Sequence, residues 1–596
     1  MGNYGTLVAL LIVIGISVWL GAQAQKVVEK GSFLKGYFLG NRGLGAWALA
    51  LTATVQSGGT FMGFPSLVYS YGWVVALWIA GYMVVPITGF AILGKRFAQL
   101  SRRTGAITVP DMFRARFGSP TLGLVASLLI MFFVMVTMIA QFKAGAIIFK
   151  LAWPGSSDQS LSEDLPEYRL QPAALRELER KIPSDTSAKL ASVVGQDFGS
   201  AGAFRKRLGE LLSAVELQQH GHAIQSAAKL TDYRFYIGLA IFTITVVGYT
   251  LIGGFLASVW TDLFQSVLMA IGVVLLFLLV VPIGPQEVMS APTIKAVQEL
   301  NTHGDATMAD RFALGPGYGR EFLPLGLAFS YFFVWVFGGL GSPAGMVRVM
   351  ACKDTDTMQR SIVLLSFYNL LIYLPLIVIC ITARSLFPDM ERPDEIVPKL
   401  AISSTDGIPG GKLISGLILS APFGAVMASV SSFLVLIASG MVRDVYQRFF
   451  RPNASDNEVK RASHLAMILL GLIALAFNLQ PVKYLQSLIV LSSATTASAF
   501  VMPALMTAYW RRATSAGAMA AMVIGSGTSI VLYIVGWMRP DPMVGEAGAF
   551  LPYYVAGIHP IVWGMAASVV AGFVVSLVTQ PPPEHLISAL FDEQPA

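Results

Sequence analysis

Apolar stretches long enough to cross about 30 Å of hydrocarbon recur along this chain, and they constrain it more than any other feature. They fall at roughly residues 4–22, 44–68, 73–95, 121–149, 234–252, 259–283, 323–347, 361–384, 410–441, 463–478, 484–509, 516–537 and 554–578. In lipid only helices and closed barrels satisfy every backbone group internally, and stretches of this length suit helices. The spacing predicts an all-α polytopic membrane protein with about 13 transmembrane helices, an odd number that puts the termini on opposite sides. Composition agrees, because 55% of the 596 residues are hydrophobic and only 13% are charged, well outside soluble globular usage.

Two of these windows are interrupted. The stretch ALALTATVQSGGTFMGFP, residues 48–65, crowds glycine, threonine, serine and glutamine into membrane depth and ends on Pro65. FSYFFVWVFGGLGSPA, residues 329–344, is broken by glycine and proline in the same way. With the first helix and the last two set aside, ten remain as two sets of five, each led by an interrupted helix. Paired breaks at corresponding positions point to an inverted-repeat transporter with its site near the midplane. An interrupted helix also frees backbone carbonyls, which are costly in hydrocarbon unless something uses them. A hard cation such as sodium prefers oxygen ligands of this kind, so the carbonyls of Ala53 and Gln56 are candidate donors. In the 410–441 window, Ala425 and Ser429 share a helix face four residues apart. Small residues there let two helices approach and leave a hydroxyl between them, although Ser429 can equally bond back to its own helix.

Charge sets the expected topology. Alternate loops hold about twenty Lys and Arg on one side, among them Lys95, Arg96, Arg102, Arg103, Arg114, Arg116, Arg443, Arg448, Arg511 and Arg512, against about nine in the short loops of the other. The N-terminus is expected outside and the C-terminus in the cytoplasm, as for a multi-pass protein of the cell's inner (plasma) membrane. The first window lacks the positive n-region of a signal peptide and is expected to be a retained helix. The net charge of +7 follows from this bias and gives no reason to propose nucleic acid as a partner. The two cysteines, Cys352 in a basic loop and Cys380 in a helix, offer no disulfide framework.

The expected organisation is helices 1–4 over residues 1–152, an extracytoplasmic insert over 153–232, helices 5–13 over 233–580 and a cytoplasmic tail over 581–596. The insert carries helix-like patches at 172–182 and 203–214. Its His220 and His222 are too sparse for a metal site. No His-Glu-x-x-His, no Gly-x-Ser-x-Gly in a strand-turn-helix setting and no paired intramembrane aspartates suggest an enzyme, and no cofactor is implied. A channel or a transporter-like sensor remains as a rival class.

YFLGNRGLG (37–45), YTLIGGFLASVWTDLFQ (249–265), RDVY (443–446) and YWRRATSAGA (509–518) together resemble the sodium:solute symporter family, of the five-plus-five inverted-repeat fold. The resemblance covers nearly the whole chain except the insert and the extreme C-terminus. It implies a sodium ion held between the first broken helix and the helix of Ala425, by the carbonyls of Ala53, Gln56 and Ala425 and the hydroxyl of Ser429. One ligand departs from the pattern: counting back from Asp444, the position of a second hydroxyl is Ala428. Either sodium binds with fewer protein ligands, or Ser431 or Ser432 substitutes, or the coupling ion is not sodium. Asp262 resembles an aspartate near the sodium exit route, although Thr261 and Asp262 after Gly253-Gly254 would also make an ordinary helix start. Ser57, Gln141 and Lys143 are the candidate substrate-pocket residues, Lys143 as partner for an anionic carboxylate or as a lysine reaching to the outer surface. Val55 stands where the family's proline carriers have an aspartate, which favours a monocarboxylate or pantothenate over proline or a sugar as the small-molecule solute.

Overall fold

The structure, a computed structural model, describes residues 4–28, 38, 42–53, 57–71, 76–153, 168–180, 182–198, 201–228, 233–281, 325–387, 393–479, 485–538 and 552–592. Helix α1 (Gly5–Val28) is apolar almost throughout. The interrupted stretch follows as α2 (Ala46–Ala53), a wide helical segment Gly59–Gly63 and α3 (Phe64–Tyr71). Next come α4 (Ala76–Val85), a second wide segment Pro86–Gly94, and α5 (Lys95–Thr104). Each wide segment adjoins a proline, Pro65 or Pro86, whose ring would clash with the carbonyl four residues earlier in a regular helix. Helix α6 (Val109–Phe117) starts under a cap from the Thr108 side chain, and the 33-residue α7 (Pro120–Ala152) follows.

The insert is built from β1 (Tyr168–Arg169), α8 (Pro172–Leu178), α9 (Ser184–Leu190), β2 (Asp197–Phe198), α10 (Ala201–Leu211) and α11 (Ala214–Ala228). The strands pair antiparallel, Tyr168 opposite Phe198. Leu170, Leu190, Val193, Phe204, Leu208 and Ile224 bury one another in a cluster distinct from that of the bundle. Helices α8 and α10 fall where the apolar spacing places amphipathic patches.

Helix α12 (Tyr233–Val280) is two helices meeting at Gly254, whose φ of 56° and ψ of −136° turn the chain sharply. A glycine is needed there because a Cβ disfavours that region. Helix resumes directly after it, so Thr261 and Asp262 lie about two turns inside. Thr261 Oγ1 donates to the Ala257 carbonyl at 2.8 Å, which corrects the reading of these two residues as an ordinary helix start.

The second interrupted stretch is α13 (Leu325–Leu340), a break at Gly341 and Ser342, and α14 (Pro343–Met350), where the Ser342 hydroxyl accepts the Gly345 N–H. The remaining helices are α15 (Thr355–Leu386), α16 (Ile396–Ser403), α17 (Gly411–Ser439, running on as a wide helix over Gly440–Phe450), α18 (Asp456–Phe477), α19 (Leu485–Tyr509), α20 (Ser515–Met538), α21 (Pro560–Val578) and α22 (Glu584–Phe591). Helix α17 is the hub of the bundle, buried along nearly its whole length and packed against α1, α7 and α12. Among the described residues ten helices are long and apolar enough to cross a membrane. The expected count of about 13 is not matched on that measure, because the first interrupted helix and the 73–95 stretch fall into shorter pieces and the helices meeting at Gly254 count once.

Candidate functional site

The first break is held from three sides. Helix α2 ends at Ala53, and the last carbonyls of a helix have no partner within it. One of them, Leu51 O, accepts from Ser266 Oγ on α12 at 2.9 Å. Beyond the break, Ser57 caps the new helix, its hydroxyl accepting the Gly59 N–H at 3.1 Å. The Gly58 N–H donates to Gln141 Oε1 of α7 at 2.7 Å. A Cβ on Gly58 would lie 2.9 Å from Ala144 Cβ, 3.0 Å from Gln141 Oε1 and 3.3 Å from Val426 Cγ2. Glycine is therefore what lets the break press against α7 and α17 together. Gln56, with Thr54 and Val55, lies outside the described residues.

Val426 belongs to the turn of α17 that carries Ala425 and Ser429, and both of these are fully buried. Ser429 Oγ donates to the Ala425 carbonyl at 3.0 Å. Back-bonding to its own helix thus occurs. Ser431 and Ser432 turn elsewhere. Ser431 Oγ reaches Ala428 O at 3.0 Å and Asp262 Oδ1 at 3.3 Å, while Ser432 Oγ joins the group around Arg348 described next.

Asp262 sits at the centre of that group. Arg348 Nη2 lies 2.5 Å from Asp262 Oδ2, and the two side chains are 2% and 3% exposed. The same nitrogen hydrogen-bonds Ser432 Oγ, and Ser258 Oγ donates to Asp262 Oδ2 at 3.3 Å. The network joins α12, α14 and α17. Sequence reasoning missed Arg348, although an arginine inside the apolar run GMVRVM carries the signal of an intramembrane ionisable residue.

A cavity of about 170 Å³ lies between the two breaks. Ser57, Gly59 and Thr60 border it from the first break, and Leu340, Ser342 and Gly345 from the second. Its aromatic wall is Tyr82, Trp335 and Tyr373. The Tyr82 ring is 4.9 Å from Tyr373 and 5.7 Å from Trp335, and the Tyr373 and Thr60 hydroxyls are 3.2 Å apart. Hydroxyls and rings line it, and no Lys, Arg, Asp or Glu does among the described residues.

Of the candidate pocket residues, Ser57 borders this cavity. Gln141 is wholly buried, with Oε1 committed to Gly58 and Nε2 without a hydrogen-bond partner among the described residues. Lys143 does not line the cavity. Half-buried on α7, it acts on the carboxyl of Asp394, which burial holds above the usual carboxylate range while Lys143 and Ser66 pull it down. Among the described residues no three His, Cys, Asp or Glu side chains gather as a metal site.

Two interrupted helices whose breaks border one uncharged cavity, inside a bundle of membrane-length helices, define a solute carrier. The model of the sodium:solute symporter family matches residues 37–161 and 216–525, and the chain belongs to that family. It is a multi-pass membrane carrier coupled to sodium, and the family's work is transport, not chemical conversion. The chain is 28% identical over 568 residues to the sodium/pantothenate symporter of Escherichia coli (strain K12), covering 94% of this chain and 93% of that one. It is 26% identical over 565 residues to the osmoregulated proline transporter of Bacillus subtilis (strain 168), covering 93% and 91%. Among solved structures it is similar in fold to a sodium-coupled sialic acid symporter, with a TM-score of 0.62, 18% identity, and coverage of 98% of this chain and 99% of that one.

Proposed function

We propose that this chain carries pantothenate, or a closely related small carboxylate, into the cell together with sodium by alternating access. The observation that carries the reading is that both helix breaks border one cavity and that the first break abuts the Ala425–Ser429 turn of α17. Sodium bound by the carbonyls of Ala53, Gln56 and Ala425 and by Ser429 Oγ would tie that break to α17 and complete the cavity beside it. Ser57, Thr60 and Tyr373 supply hydroxyls for the polar groups of the solute, and the Tyr82–Trp335 wall takes its apolar part.

With the N-terminus outside and the C-terminus in the cytoplasm, rocking of the helices around the two breaks then opens the cavity inward. Asp262 is the proposed waypoint on the sodium route, with Arg348, its buried partner, as its gatekeeper. Inward movement of one cation is favoured by roughly 2.3 kcal/mol per 100 mV of membrane potential, which adds to any concentration gradient and supports accumulation of solute.

Proline is the second reading, favoured by the proline-transporter relative and opposed by Val55. Competition separates the two: excess unlabelled pantothenate suppresses sodium-stimulated uptake of labelled pantothenate in proteoliposomes, and excess proline does not. Uptake of labelled proline at the higher rate would reverse the assignment.

A further inference from the structure

Helix α22 packs against α5 and α6. Its Leu590 is buried, and its last turn is surrounded by guanidinium groups from three separate elements. The Phe591 ring lies 5.0 Å from the guanidinium of Arg96, 5.1 Å from that of Arg116 and 5.7 Å from that of Arg511. The Leu590 carbonyl accepts from Arg96 Nη2 at 3.2 Å and from Arg103 Nη1 at 2.9 Å. Asp592 Oδ1 lies 2.6 Å from Arg511 Nη2. A helix C-terminus carries partial negative charge and an aromatic face attracts cations, so this end of α22 neutralises a group of like charges that would otherwise repel one another.

The arginines come from two groups of elements. Arg96 and Arg103 sit on α5, and Arg102 of the same helix donates to the carbonyls of Cys352 at 2.7 Å and Lys353 at 2.6 Å, just beyond α14. Arg511 lies in the turn between α19 and α20, and Arg116 of α6 is fastened to that turn through the carbonyls of Trp510 at 3.0 Å and Arg511 at 3.2 Å. Helix α5 is tied to the end of α14 and, through Arg96 Nε to the Ala508 carbonyl at 3.0 Å, to α19, while α6 is tied to the α19–α20 turn. Helix α22 bridges both groups.

We infer that α22 is a clasp that holds the cytoplasmic mouth closed by bridging α5 to the α19–α20 turn, and that it must let go of one side for solute to be released. The inference rests on the alternating-access reading above. Among the described residues none that lines the solute cavity belongs to α22, so a change there acts on the opening equilibrium and not on recognition.

Cys352 reports on the mouth. It is fully buried beside the α5 contact. In inside-out vesicles holding the full chain, the rate of Cys352 alkylation by a membrane-impermeant maleimide, with the site located by peptide mass, measures how often the mouth opens. Phe591→Ala raises that rate roughly five- to tenfold, the effect of losing exposed cation–π contacts, and Phe591→Trp restores the native rate. Asp592→Asn, on an exposed side chain that does not threaten folding, raises it less. Native alkylation rates in both Phe591→Ala and Asp592→Asn would overturn the clasp. Sodium-dependent uptake by the native protein is measured alongside; its absence would count against the transport reading and leave the alkylation rates to be judged separately.

Discussion

Arg348 Nη2 lies 2.5 Å from Asp262 Oδ2 inside the bundle, so the second broken helix is bound through its own charge to a carboxylate on α12. Removing one partner of a buried pair leaves the other uncompensated, at a cost of about 3–5 kcal/mol. Arg348→Ala is expected to lower the Tm of the purified protein by several degrees and to abolish uptake. Arg348→Lys keeps the charge but replaces the guanidinium, whose Nη2 reaches both Asp262 and Ser432, with a shorter ammonium of different geometry, and it is expected to retain partial uptake. A double-mutant cycle with Asp262→Asn is expected to show a coupling above about 1 kcal/mol; additive effects would mean that the contact does not act as a pair.

The first break is expected to fail when its clamp is altered. Gln141→Ala leaves the Gly58 N–H buried without its acceptor, a loss of about 1–3 kcal/mol, and uptake is expected to fall with it. Gly58→Ala drives a methyl into Ala144 and Gln141, which pushes the break away from α7 and α17. It is expected to cost more uptake than Gln141→Ala. Equal uptake by Gly58→Ala and native protein would contradict the close packing of the break.

Ser429→Ala removes the one side-chain ligand of the proposed sodium site. The sodium concentration for half-maximal uptake is expected to rise roughly tenfold, the shift that about 1.4 kcal/mol of lost binding produces. Ser431→Ala, whose hydroxyl is turned toward Asp262, is expected to leave that concentration nearly unchanged. Sodium titrations of uptake in proteoliposomes check both, and a larger effect of Ser431→Ala would move the site along α17.

The insert has its own acid sensitivity. Hydrogen bonds from the Ser213 side chain and backbone, then from Lys189, hold the Glu216 carboxyl down to about 2. A carboxyl lowered in the folded state stabilises above its unfolded value and loses that contribution as pH falls through its folded value. Amide-exchange protection over 184–228 is therefore expected to decline from about pH 4.3 down to about pH 2, and Glu216→Gln is expected to remove that decline.

Both breaks are legible in the sequence, because glycine, proline and hydroxyl residues at membrane depth do not fit an unbroken lipid-facing helix. The pairing of Ala425 with Ser429 is legible from helical period alone. Asp262 stands out as an ionisable residue in an apolar run, but its partner lies 86 residues away, and only the folded bundle brings them together. Lys143 reads as a ligand for an external carboxylate because a lysine's partner does not show in sequence; the fold supplies Asp394 from the segment before α16. Gln141 reads as a candidate for the solute pocket, and its bond to Gly58 depends on how α7 crosses the break.

The central claim is that sodium bound at the first break drives solute into the cell, and accumulation of labelled pantothenate in proteoliposomes under an inward sodium gradient tests it most directly. Internal pantothenate is expected to rise above the external concentration, collapse of the sodium gradient to abolish the excess, and Ser429→Ala to show it only at higher sodium. Uptake that stops at equilibrium, or that accumulates equally well without sodium, would contradict it.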